Sequence, residues 1–268
     1  MSGPGDRAPG AASGAPAVAV WCVSPDDLDV RPDDPRLDEE ERARAARLRR
    51  DADRHAFLAA HLLLRLALTA AEPAVGAAEW RFRREPGGRP ELATPGTGLR
   101  FNLTHTPGLV ACVVARGRDC GIDAEWAGRR LDPELLARGG LAPEERAGIA
   151  ALPAQRRAFA ALRYWTLREA VLKATGDGLS VPAGRLAFAL DGAGPRLLER
   201  PGAPWRPGEW ALVQRTRGEH VVSLAVRVQD PAAPARGTSA GTLRLAWHDT
   251  PPGTGSAVRG NEWAIIPV

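Results

Sequence analysis

The sequence predicts an α/β chain of the α+β kind, built from two mixed halves that meet in the middle. Strand-like runs fall in two blocks, residues 79 to 126 and 185 to 228, and each block precedes or follows helical stretches. With 268 residues, 44% of them hydrophobic and 25% charged, the chain can bury an ordinary globular core. The ends differ in composition: residues 1 to 16 are mostly Gly, Ala, Pro and Ser, and Pro and Gly recur from Asp230 onward. The expected layout is a flexible tail at 1–16, an N-terminal half at 17–118, a C-terminal half at 119–229, and a Pro/Gly-rich tail at 230–268.

The elements follow in order. AVAVWCV (17 to 23) is a strand by its β-branched, apolar run. From Asp38 to Ala71 the spacing predicts one or two helices, with Leu58, Leu62 and Leu66 on one stripe. EWRFRRE (79 to 85), LRFNLTH (99 to 105), LVACVVA (109 to 115) and CGIDAEW (120 to 126) are strand-like. Helical signals return at 133 to 140, 143 to 152 and 154 to 176, the last closed by Gly176. RLAFAL (185 to 190) is a strand, and EWALVQRT (209 to 216) and EHVVSLAVRV (219 to 228) form a hairpin across Arg217 and Gly218. Within the C-terminal tail, the apolar patches 242 to 248 and 262 to 268 are candidates to dock on the body.

Composition excludes several function classes. No apolar run approaches the length of a membrane span, and the N-terminus has no basic start followed by an apolar stretch, so a soluble cytoplasmic protein is expected. Cys22, Cys112 and Cys120 show no metal-type spacing and sit in apolar contexts, as small buried hydrophobes do. The net charge of +4 comes from 36 basic against 32 acidic residues spread along the chain. Aromatic residues make up only 5% of the chain, few rings on which to stack bases, so nucleic acid is not expected as a partner. A modest basic surplus does suit a polyanionic ligand or an acidic protein partner.

Lys173 is the only lysine, and arginine fills every other basic position. Arginine serves a surface ion pair as well as lysine does, but only lysine can give up a proton. Trp165, Glu169 and Lys173 fall at i, i+4 and i+8, along one helical face. Asp123 and Glu125 stand two apart on a strand, so both carboxylates leave one face. Taken alone, that pair fits either a polar edge strand or a site for a hard divalent cation such as Mg²⁺. FNLTH ends in Thr104 and His105 before a turn. The loop RREPGGRP offers backbone amides around Gly88 and Pro90 with Arg84 and Arg89, either as a phosphate cradle or as an ordinary hairpin. Arg50 and Arg54, in RRDADRH of the first helical stretch, add positive charge to a helix that is otherwise simply exposed.

In order, GGRP (87–90), FNLTH (101–105), CGIDAE (120–125), WTLREAVLK (165–173) and GDGLS (176–180) match a motif series. The chain resembles the 4'-phosphopantetheinyl transferases of the Sfp type over residues 17 to 229. The resemblance implies a pseudo-dimer of two similar α/β halves with coenzyme A in the cleft, acting as a monomer. It implies Asp123, Glu125 and Glu169 as Mg²⁺ ligands, and Glu169, Lys173 and Asp123 as the catalytic set. Lys173, Thr104, His105, Arg84, Gly88, Arg89 and Pro90 would contact coenzyme A, joined by Arg50 and Arg54. The implied reaction moves phosphopantetheine onto a serine of an apo acyl or peptidyl carrier protein, with the carrier surface expected between 129 and 153. Arg168, Arg89 and Thr104 depart from the Lys, Lys and Ser of the motifs but keep charge or hydroxyl. The alternative is a non-catalytic coenzyme A or nucleotide-binding regulator. Such a protein would need the arginines and His105 but not three carboxylates beside a polyanion.

Overall fold

The computed structural model describes residues 17–85, 88–128, 140–177, 181, 185–192, 194–228, 242–253 and 262–267. Strand β1 (Val18–Val23) is apolar and buried along its whole length, as a strand covered on both faces must be. Asp38 then starts helix α1 (Glu39–Ala46) through a reciprocal capping box with Glu41. A break over residues 47–50 separates it from α2 (Asp51–Ala71), so the helical region is two helices. Helix α2 buries a broad face that includes Leu58, Leu62, Leu63 and Leu68, with Leu66 at its margin. A short hairpin follows, β2 (Phe82–Arg84) with β3 (Pro90–Leu92). The long antiparallel pair β4 (Leu99–Thr106) and β5 (Leu109–Arg116) turns at Gly108, whose φ of 78° suits glycine.

The second half repeats this succession. Strand β6 (Cys120–Trp126) leads to helices α3 (Pro143–Ala150) and α4 (Ala154–Thr175), then to a small hairpin of β7 (Phe188–Asp191) and β8 (Gly194–Leu197). The antiparallel pair β9 (Trp210–Arg217) and β10 (His220–Arg227) closes it, with Arg217 paired to His220, so the turn lies one residue later than its sequence suggests. Sheet order repeats as well: β1-β5-β4 in the first half and β6-β10-β9 in the second. The duplication is therefore one of topology. The helix expected at 133 to 140 lies almost wholly outside the described residues, as does the 129–139 part of the expected carrier surface.

Alternation along the strands distributes the core between layers. One face of β1, through Val18, Val20 and Cys22, meets Ile122, Val222 and Leu224 of the second sheet. The other face, through Trp21 and Val23, joins Val110 and Cys112 against α2. Helix α4 packs Leu167, Ala170 and Val171 on Trp210 and Ala225. The layers thus run α2, first sheet, second sheet, α4. All three cysteines are free and buried within this stack, and burial pushes the Cys120 thiol up to about 12.

The segment expected to be a C-terminal tail needs correction where it is described. Strand β11 (Thr242–His248) lies parallel to β1, in register from Val18 with Leu245 to Trp21 with His248. Strand β12 (Glu262–Pro267) pairs antiparallel with β11. The edge of β1 would otherwise present unpaired backbone groups, and the apolar patch at 242 to 248 covers it. Residues 1–16 and 230–241 lie outside the described residues. Among the described residues no helix is long and apolar enough to cross a membrane.

Candidate active site

Gly121 sets the distance between β6 and α4. A Cβ at this position would stand 2.0 Å from the Ala170 carbonyl oxygen and 2.6 Å from the Ala174 nitrogen, both backbone atoms. Glycine is what lets the helix seat on the strand. Because Gly121, Asp123 and Glu125 share one face of β6, the same approach lays the Glu169–Lys173 turn of α4 over the two acids. From the first half, β4 comes up beside β6, and Asn102 Oδ1 accepts the Ile122 N–H at 3.1 Å. That bond ties the two sheets together one residue before Asp123.

Asp123 is 6% exposed. Its Oδ1 accepts from Lys173 Nζ at 2.6 Å and from Thr104 Oγ1 at 3.3 Å. Lys173 Nζ also donates to the Ile122 carbonyl at 3.3 Å and to Thr104 Oγ1 at 3.4 Å, so its three hydrogens meet three acceptors. Asp123 Oδ2 and Glu169 Oε1 are buried oxygens with no hydrogen-bond partner among the described residues. Burial, and then the Asp123 charge, hold the Glu169 carboxyl above the usual carboxylate range, against the opposing pull of Lys173 and Arg168. Two orphaned carboxylate oxygens on adjoining elements fit a hard cation. Among the described residues no group of three or more Asp, Glu, His or Cys side chains is arranged to hold a metal ion. Mg²⁺ does not require such a group, since it keeps waters and takes ligand oxygens alongside one or two carboxylates.

A cavity of about 460 Å³ opens between the halves. Of the expected residues, Asp123, Glu125, Thr104, His105, Lys173, Arg84 and Pro90 line it, and Glu169 lies behind that lining. Desolvation by the surrounding groups, and then the charges of His61 and Lys173, hold His105 below the ordinary imidazole range, although the residue keeps solvent-exposed surface. Four of the expected contact residues lie away from the cavity wall. Arg50 is exposed at the start of α2, and Arg54 bonds the Leu48 carbonyl at 3.0 Å and pairs with Asp51. Arg89 donates to the Ala174 carbonyl at 2.6 Å and pairs with Glu91 at 3.2 Å, closing the end of α4. Gly88 is exposed in the hairpin loop, and none of these four lines the cavity. Gly87 and residues 178–180 of the last motif lie outside the described residues. Arg168 is buried on the other side of α4, where it faces Glu145 at 3.6 Å.

The positive charge that the first helices do bring to the cavity comes from Arg44 on α1. Its guanidinium lies 5.2 Å from the centre of the Phe57 ring. Phe57 and His61 of α2 continue that wall, with ring centres 4.3 Å apart. Sequence reasoning missed all three residues. The available signal was a polar residue at the i+4 position from Phe57 inside the run LAAHLLLR.

Comparison with known proteins bears on what this site belongs to. Residues 119–225 match the model of the 4'-phosphopantetheinyl transferase superfamily. The chain is 36% identical to the 4'-phosphopantetheinyl transferase HetI of Nostoc over 54% of its own length and 61% of HetI. It is 31% identical to a phosphopantetheinyl transferase of Thraustochytrium over 79% of its length and 75% of that protein. It is 30% identical to a putative 4'-phosphopantetheinyl transferase of Synechocystis over 54% of its length and 58% of that protein. The chain thus spans less than two thirds of two of these three relatives. The long Thraustochytrium match runs through both halves and the family model covers β6 through β10, so the chain belongs to the 4'-phosphopantetheinyl transferase superfamily.

Proposed function

We propose that this chain is a 4'-phosphopantetheinyl transferase of the Sfp type, moving the phosphopantetheine arm of coenzyme A to a serine of an apo acyl or peptidyl carrier protein. The observation that carries this reading is the meeting of Asp123, Thr104 and Lys173 at one wall of a cavity with Arg44 and Arg84 on another. Asp123 and Glu125 at one wall, with Arg44, Arg83 and Arg84 interleaved with Glu40 and Glu41 at the other, suit a ligand that carries several phosphates and a metal. Asp123, Glu125 and Glu169 would hold Mg²⁺, which when bound neutralises the pyrophosphate.

In this reading Arg44, Arg84 and His105 bind the phosphates at the nucleotide end. Glu169, its carboxyl held above the usual carboxylate range by burial and the Asp123 charge, accepts the proton of the attacking serine. The serine oxygen bonds to the phosphorus that bears pantetheine, and the bond from that phosphorus to 3',5'-ADP breaks. Lys173 stabilises the charge left on the departing phosphate and can protonate it, a role closed to arginine. Both halves contribute to one cavity, so a monomer is sufficient. Carriers of secondary-metabolite pathways, polyketide or nonribosomal peptide, and a cytoplasmic setting are part of the same proposal.

The test is intact mass spectrometry of an apo carrier incubated with the protein, coenzyme A and Mg²⁺, with and without EDTA. A metal-dependent gain of about 340 Da is expected for transfer of the arm. No gain on several carriers, with coenzyme A still bound, would turn the reading toward a binding protein.

A further inference from the structure

One histidine on the cavity wall, His61, has no part in the chemistry above. Its Nδ1 lies 2.9 Å from Glu41 Oε1, with side chains only 15% and 6% exposed. The same carboxylate accepts from Arg65 Nε at 2.9 Å and from the Asp38 N–H at 2.8 Å. Arg65 is fully buried and gives its remaining hydrogens to Asp38 and to the carbonyls of Ala77 and Trp80. Glu41 is therefore held on several sides and cannot swing away from the ring. A carboxylate fixed against Nδ1 keeps a hydrogen on that nitrogen. Nε2 makes no hydrogen bond among the described residues, and the residue lines the cavity.

Charge in the cluster points the same way. Asp38 and Glu41 bring two negative charges, and Arg65 brings one positive charge. The ring therefore borders a surplus of negative charge. The groups that face His61 are Glu41 with Arg65 and Asp38 behind it, Phe57 and Arg44 along the same wall, and His105 from β4. His105 opposes a second positive charge there, whereas an anionic ligand between the two rings would favour it.

We propose that His61 is a further ligand contact, which donates Nδ1–H to Glu41 and Nε2–H to a phosphate oxygen of the nucleotide, so that binding takes up a proton at this residue. The proposal rests on the reading of the cavity as the coenzyme A site. The competing description is a core histidine that Glu41 satisfies and that no ligand touches.

The experiment is calorimetric titration of wild type and His61→Gln with coenzyme A and with 3',5'-ADP. It is run from about pH 6 to about pH 8.5, in buffers that differ in ionisation enthalpy. The variant is expected to bind about tenfold more weakly near pH 6. That gap should narrow as pH rises, and proton uptake on binding should fall below that of wild type. Affinity within twofold of wild type at every pH, or a loss of affinity with proton uptake unchanged, overturns the proposal. Should the variant fail to fold, nitrogen-15 spectra of assigned His61 in the wild type decide. A shift of Nε2 to the imidazolium value on adding 3',5'-ADP supports the contact, and an unchanged neutral ring overturns it. If wild type binds neither ligand, the reading of the cavity itself fails, which is a different outcome from binding that ignores His61.

Discussion

At Glu169 the needs of the fold and of the chemistry oppose one another. The carboxylate sits between the apolar flank of α4 and Asp123, with one oxygen buried and unpartnered. Its folded-state carboxyl is raised above the unfolded value, so the stabilising contribution is present below the unfolded value and is lost as pH rises through the folded one. Glu169→Gln removes the charge and keeps the shape. Thermal melts without metal should therefore show the variant gaining on wild type as pH climbs from mildly acidic to neutral, by an amount on the order of a few °C. Its transferase activity should be lost over the same range. A variant that melts lower than wild type at neutral pH would mean that the charge is satisfied in the fold. The meeting of Asp123 with Lys173 could be foreseen because short motifs fix both by spacing on one strand and one helix. Arg44 and His61 could not, because what brings them to the cavity is the break between α1 and α2, and no residue type marks that break.

Between elements, the contact of α4 with β6 depends on the absence of one methyl group. The atoms that a Cβ at Gly121 would strike are backbone atoms of Ala170 and Ala174, which cannot turn aside as a side chain can. Gly121→Ala should force the helix outward, at about 1–3 kcal/mol or more for overpacking a closed core. The displacement would carry Glu169 and Lys173 away from Asp123, and a misplacement near 1 Å can reduce turnover about a hundredfold. Denaturant melts and the carrier assay should thus fall together. Wild-type turnover in a folded variant would show that the helix can shift without disturbing the site. The glycine is visible in the sequence as an isolated Gly within a strand, a mark of close backbone approach, but the partner of that approach is not. Likewise the hairpin before β10 was legible to within one residue, since Gly218 announces a turn while the pairing of Arg217 with His220 depends on register.

For the molecule as a whole, the composition of the C-terminal segment was the most misleading signal. Pro and Gly around residues 230–241 and 249–261 suggest a tail, yet the short run between them completes the core. Leu243, Leu245 and Trp247 are at most 4% exposed and face the core between the sheets, and Ala246 faces the α2 side. The segment also ties the halves together. Arg215 of β9 lies 4.7 Å from the centre of the Trp247 ring, His248 stacks on Trp21, and Arg217 pairs with Asp249 while bonding the Cys22 carbonyl. Each large apolar side chain returned to water costs about 1.5–3 kcal/mol, so losing three approaches the whole stability of a typical domain, about 5–15 kcal/mol. Truncation after Val228 would in addition bare the β1 edge to other chains. Residues 1–228 should melt well below the full chain and elute in part as aggregate on size exclusion, whereas a dispensable tail would leave both measurements unchanged. Because the cavity is lined from both halves, such a loss should also weaken coenzyme A binding, even though no described residue beyond 228 lines it.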